Sequence, residues 1–165
     1  MPTQDILAIS TAYWNAWNNR DVEAIARCAA EDYEAEGDAL PTPIKGQDGL
    51  REFARMYIAA FPDLHFDITE QFASGDDVVT CWTATGTHRG ELMGVSATGR
   101  WTEVHGCNVS QFRQGKLAHS RIYWDSATLM RQLGILPVRD TVQAVLVDRE
   151  RPIQRERSSK EEVRL

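Results

Sequence analysis

Apolar residues recur at helical spacing through the first sixty positions and at strand spacing after Pro62, and this change of period divides the chain. Ile6, Ile9, Tyr13 and Trp17, with Trp14 beside them, predict a first helix that Thr3 caps and that ends near Asn18-Asn19. Asp21 caps a short second helix with Val22, Ile25, Ala26 and Ala29 as its buried stripe. Gly37 to Gly46 holds two prolines and two glycines, and reads as a loop across the mouth of whatever the helices enclose. Gln47 to Phe61 predicts a third helix with Leu50, Phe53, Ala54, Tyr57 and Phe61 on one side, and Pro62 stops it.

Leu64, Phe66 and Ile68 then alternate with His65, Asp67 and Thr69, as in a half-buried strand. Asp76-Asp77 follows Gly75 as a turn, and the β-branched and aromatic run from Val78 to His88 predicts a long strand. Gly90 and Gly94 break the next segment; Gly99 precedes another long strand from Arg100 to Phe112, and a final strand runs to Trp124. A short helix closed by Gly134 and Pro137 follows. Three helices, a four-strand antiparallel meander and a closing helix predict an α+β domain whose sheet curls around the helices and encloses a conical cavity.

The last hairpin is where candidate chemistry concentrates. Arg113-Gln114-Gly115 fits a three-residue loop with Gly115 left-handed, which sets Phe112 opposite Lys116, His105 opposite Tyr123 and Cys107 opposite Arg121. Strand alternation then puts His105, Cys107, Val109, Arg121, Tyr123 and Asp125 on one face, expected to point into the cavity, with Asn108 on the other. Diagonal neighbours such as His105 and Asp125 lie roughly 7 to 8 Å apart, leaving room for a ligand between them.

With 165 residues the chain is long enough to bury a core without disulfides or metal. Residues 1–137 make the domain; 138–165 are an extension, apolar at Val142 to Val147 and charged, with a mobile character expected, from Asp148 onward. A net charge of -6 argues against a nucleic-acid or anionic-membrane partner, which would need a basic patch. The N-terminus has no basic region followed by an apolar run, so a cytoplasmic location is expected. Cys28, Cys81 and Cys107 are widely spaced and suggest neither a disulfide framework nor a zinc site.

Asn19-Arg20-Asp21, Gly49-Leu50-Arg51-Glu52-Phe53, Phe61-Pro62-Asp63, Gly86-Thr87-His88, Thr98-Gly99-Arg100, Gly115-Lys116-Leu117 and Trp124-Asp125 followed by Gln132-Leu133-Gly134 together resemble the SnoaL-like polyketide cyclases of the NTF2-like superfamily. The resemblance runs from about residue 5 to 137. It implies a cone-shaped barrel, a curved antiparallel sheet wrapped around three N-terminal helices, and a homodimer. It also implies ring closure by an intramolecular aldol reaction on a polyketide-type carbonyl substrate, without metal or cofactor, with an acid at or near Asp125. The chain departs from the pattern in having Gln111 and His119 where the family often has Arg and Glu, and Ser96-Ala97 in place of a proline-containing step.

An aldol closure needs a base to take a proton alpha to a carbonyl and an acid to protonate the attacked oxygen. A carboxylate in an apolar cavity can serve both, because desolvation raises its affinity for protons. Asp125 is the expected general acid/base, with the alternative that it merely caps the helix from Ser126. His105 is its expected electrostatic partner, and Arg121 either holds Asp125 ionised or forms a rim salt bridge. Tyr123, Trp17, Tyr33, Phe53, Tyr57, Trp82 and His88 are the remaining candidates for the cavity wall. Two rivals stand beside the cyclase or isomerase: a non-catalytic ligand-binding or dimerisation module, and an epoxide hydrolase or hydroxylase using Asp125, Glu103 and Arg121.

Overall fold

The computed structural model describes residues 3–137. The apolar run Val142 to Val147 and the charged stretch after it lie outside the described residues. The elements are α1 (Thr3–Asn18), α2 (Val22–Cys28), β1 (Ala29–Glu36), β2 (Ile44–Lys45), α3 (Gly46–Ala60), β3 (His65–Ser74), β4 (Asp77–Thr87), β5 (Trp101–Arg113), β6 (Lys116–Trp124) and α4 (Ser126–Gln132). The strands form one curved, unclosed sheet in the order β2-β1-β6-β5-β4-β3. Its inner face is covered by the helices, in the α+β arrangement expected.

The meander β3 to β6 accounts for four of these strands; β1 and β2 are additions to the expected plan. β1 was hidden by its acids, because Asp, Glu and Ala are poor strand formers. Its alternation is nonetheless clear: Ala29, Tyr33 and Ala35 are buried while Asp32, Glu34 and Glu36 face out. It pairs parallel to β6, with Ala35 opposite Ser120, and antiparallel to β2.

Specific side chains fasten the helices to the sheet. Asp21 caps α2 by accepting from the Ala24 N–H at 2.9 Å. Asn18, at the end of α1, donates to the Phe66 carbonyl at 2.9 Å and accepts the Phe66 N–H at 2.7 Å, standing in for a missing strand partner along the β3 edge. Asp63, just past α3, accepts both the N–H and the hydroxyl of Thr87 at 2.7 Å, tying the end of α3 to the end of β4. These bonds hold its carboxyl below the usual carboxylate range.

The last hairpin differs from the expected register. Its loop is the two-residue turn Gln114-Gly115, with φ of 51° and 73° and Arg113 opposite Lys116. Two consecutive positive φ values suit the right-handed twist of the flanking strands, which a three-residue loop would not need. An extra residue, Ala118, then bulges out, so that Gln111 pairs with His119, Cys107 with Tyr123 and Gly106 with Trp124. The expected set His105, Cys107, Val109, Arg121 and Tyr123 does share one face, but it is the outer one. Thr102, Val104, Asn108, Ser110, Phe112, Ser120 and Ile122 are buried on the inner face.

Candidate functional site

α1, α3 and the inner face of the sheet enclose an aromatic cavity. Trp14 and Trp17 come from α1, Phe53 and Tyr57 from α3, Phe66 from β3, Trp82 from β4 and Trp124 from β6. Phe66 sits at the centre of the ring cluster, 5.1 Å from Trp14, 5.6 Å from Trp17 and 5.3 Å from Trp82 between centroids. The cavity volume is about 90 Å³. No carboxylate, imidazole, thiol, ammonium or guanidinium is among its lining residues.

The polar groups that do line it are few. Asn108, on β5, is buried and accepts the Trp82 indole N–H at 2.9 Å. An indole nitrogen can only donate, so the acceptor is the amide oxygen and the amide Nδ2 is the group left over. That NH₂ has no acceptor among the described residues. The Tyr57 hydroxyl likewise has no hydrogen-bond partner there, and burial pushes its pKa up to about 12. Burial also pushes Tyr13 well above its ordinary value. Trp17 leans its indole N–H towards Tyr13 without completing a hydrogen bond, and that N–H stays buried and unpartnered. The cavity therefore holds donors without partners, the Asn108 amide and the Trp17 indole among them, and none is charged at neutral pH.

Of the candidates named from the sequence, Trp17, Phe53, Tyr57 and Trp82 line the cavity. Tyr33 and His88 are fully buried outside the lining: the Tyr33 hydroxyl interacts with Ser120, while His88 stacks near Phe61 and accepts at Nδ1 from the Thr98 N–H at 3.3 Å. Four expectations about direction are corrected. His105 is on the outer face with 73% of its side chain exposed, bonded to Thr83 at 2.9 Å and 3.9 Å from Glu103. Arg121 and Tyr123 are also outside, where they line a separate cleft under residues 36–43, so that loop covers β6 rather than the cavity mouth.

Asp125 is exposed and caps α4, accepting from the Thr128 N–H at 2.8 Å and the Thr128 hydroxyl at 2.6 Å. It stands in the chain between two lining residues, Trp124 and Leu129. Glu103 is exposed as well, and its backbone is held by the Gln132 amide. Asp125, Glu103 and Arg121 thus do not gather around one cavity. The underlying reason is charge: a face carrying Glu103, His105, Arg113 and Arg121 loses far less hydration by facing water. Asn108 is the group this reading had placed outside, and its signal was available, since even-numbered β5 positions carry no charge. Among the described residues there is no cluster of three His, Cys, Asp or Glu that could hold a metal, and no helix long and apolar enough to cross a membrane.

An open curved sheet wrapped on helices around an apolar cavity defines an NTF2-like, or ketosteroid isomerase-like, small-molecule fold. The sequence profile of the SnoaL-like polyketide cyclases matches residues 8–133, and the chain belongs to that family. IdmH, a proposed polyketide cyclase from Streptomyces antibioticus, is 30% identical with a TM-score of 0.66, the alignment covering 81% of this chain and 99% of that one. AclR, a proposed hydroxylase from Streptomyces galilaeus, is 26% identical with a TM-score of 0.74, covering 82% and 99%. TsrD from Streptomyces laurentii is 24% identical with a TM-score of 0.74, covering 82% and 99%. No curated protein sequence matches the chain.

Proposed function

We propose that the chain binds an apolar carbonyl compound in the aromatic cavity and polarises its oxygen for a cyclase- or isomerase-type proton shift. The observation that carries this reading is the Asn108 amide, whose oxygen is occupied by Trp82 while its NH₂ lacks an acceptor in an otherwise apolar hollow. A donor fixed in place before the ligand arrives, in an apolar site, stabilises the negative charge that grows on an enolate oxygen. Tyr57 supplies a second neutral donor. The free amide donor favours ligands with an acceptor oxygen over hydrocarbons of the same shape.

The volume bounds the ligand. An engineered apolar cavity of about 150 Å³ holds one benzene, so about 90 Å³ admits at most one small ring while Phe53 and Tyr57 stay in place. A larger polyketide-type substrate requires those two half-buried rings to swing out. Proton transfer falls to Asp125 in this reading, because it is the acid adjoining Trp124; its carboxylate must let go of Thr128 to reach a ligand. His105, exposed and turned away, is assigned no direct contact. The homodimer implied by the resemblance is kept as part of the proposal, supported by Phe72 and Tyr123 standing exposed on the outer face of the sheet.

A ligand-binding module without turnover is the second reading, and the absence of any carboxylate, imidazole or amine from the cavity lining favours it. Tryptophan-fluorescence titration with a small cyclic ketone and the matching cycloalkane, which has no acceptor, tests the shared claim. The ketone is expected to bind more tightly, and Asn108→Leu to erase the difference; equal binding of both by the unaltered chain removes Asn108 from recognition. Turnover by the unaltered chain, lost in Asp125→Asn, then separates the enzyme from the module.

A further inference from the structure

We propose that Cys81 and Cys107 form a reactive dithiol on the outer face of the sheet, which closes to a disulfide by exchange with a low-molecular-weight disulfide such as oxidised glutathione. The two residues are 26 positions apart in the chain (107 − 81 = 26), yet β4 and β5 pair them directly opposite one another. Directly opposed residues of antiparallel strands have Cα atoms about 4.5 or 5.5 Å apart, depending on which kind of pair they form. Both values fall inside the span of roughly 4.4 to 6.8 Å that a disulfide bridges.

Direction is settled by alternation: Thr80, Trp82 and Asn108 point inward and are buried, so Cys81 and Cys107 point outward, and both remain partly exposed. Side chains of opposed pairs on this face do meet. The next pair along, Thr83 and His105, is in hydrogen-bond contact at 2.9 Å. Across the sheet the dithiol is flanked by Glu70 on β3 and Tyr123 on β6, neither of which blocks it as a disulfide or metal partner would. Cys28 lies at the end of α2, away from this row.

In the exchange the Cys81 thiolate attacks one sulfur of oxidised glutathione, forming a mixed disulfide and releasing one glutathione thiolate. The Cys107 thiol then gives up its proton and attacks the Cys81 sulfur, expelling the second glutathione. The protein loses two electrons and two protons, and the oxidised glutathione becomes two reduced ones. Burial and the neighbouring Cys81 push the Cys107 thiol up, which suits it to the second, resolving step rather than the first. The inference is independent of what occupies the cavity, although the bridge would clamp the two strands one residue away from Trp82 and Asn108.

Incubating the full chain with excess oxidised glutathione, followed by non-reducing peptide mapping, tests this. The expected result is loss of two hydrogens from the intact mass and a link between the tryptic peptides that carry Cys81 and Cys107, reversed by dithiothreitol. Cys28→Ser should leave the link unchanged, and Cys81→Ser should abolish it. A stable glutathione adduct beside a free thiol, a link involving Cys28, or no reaction overturns the proposal. On the unaltered chain, one equivalent of phenylarsine oxide should consume both thiols together with loss of water; consumption of neither, or of Cys28, overturns it as well.

Discussion

Trp82 and Asn108 face each other diagonally across β4 and β5, and the indole N–H of one fixes the amide of the other at 2.9 Å. The bond does two things at once: it satisfies a buried donor and sets which end of the amide is free. Asn108→Leu removes both functions. We expect a stability loss of about 1 to 3 kcal/mol from the orphaned indole N–H, read by urea denaturation. Ketone affinity should fall roughly three- to tenfold, the worth of one neutral hydrogen bond. Trp82→Phe keeps the amide but frees it to rotate, so affinity should fall by less.

Gly106 lies directly beneath the Trp82 ring. A Cβ there would come within 2.3 Å of the indole carbons, so Gly106→Ala must displace the ring. Overpacking of this kind costs about 1 to 3 kcal/mol. A lower thermal midpoint together with a shifted tryptophan emission is expected; an unchanged emission would mean that the strand, and not the ring, gives way.

Phe53 stands between Trp17 and Tyr57, with centroids at 6.2 and 4.8 Å. Phe53→Ala removes that ring from the wall and should enlarge the hollow beyond a single ring. In a series of cyclic and bicyclic ketones the preference should move to the bicyclic members. Identical rank order in both proteins would show that the wall, as it stands, does not limit ligand size.

Asp125→Ala and Asp125→Asn separate two roles. Loss of an N-cap costs about 1 kcal/mol, whereas Asn caps as well as Asp. The alanine variant should therefore lose stability and the asparagine variant hold it within a few tenths of a kcal/mol. Any turnover lost in Asp125→Asn is then chemical, and a decrease of at least a hundredfold is expected if the carboxylate moves the proton.

His88 is fully buried, accepts at Nδ1 from the Thr98 N–H, and so carries its hydrogen at Nε2, where it has no partner. Burial disfavours the charged ring and lowers its pKa below the ordinary 6.5. The unfolded chain then binds more protons than the folded one between the two values, so stability rises with pH in that window. It is fully present above about 6.5, the unfolded value, and is lost as pH falls through the lower folded one. Denaturation midpoints between pH 7 and 5 should decline less in His88→Gln than in the unaltered chain.

Much of the scaffold could be read from the sequence because single residues announce it: Asp21 before α2, Pro62 after α3, and the alternation of Leu64, Phe66 and Ile68 into β3. β1 could not, since AAEDYEAE shows its period only once β6 is known to lie beside it. At the site, parity was legible and direction was not. Pairing Tyr123 with His105, as expected, or with Cys107, as observed, leaves the same residues together, and the choice of face turned on whether an acid or a charge-free row should be dry. Glu103, His105 and Arg121 answer that question in hindsight, and with it Asn108 moves from the outside to the cavity. The opposition of Cys81 and Cys107 had no sequence signal, because it depends on the length of the connection between β4 and β5.

The parallel pairing of β1 with β6 bears on how the chain is made. During synthesis the segment around Tyr33 emerges long before residues 116–124, and its strand partner on one side does not exist until the hairpin has left the ribosome. The nascent α1, α2 and β1 must wait with Tyr33 uncovered. Any chain truncated ahead of Lys116 would carry that exposed edge as a permanent invitation to aggregate.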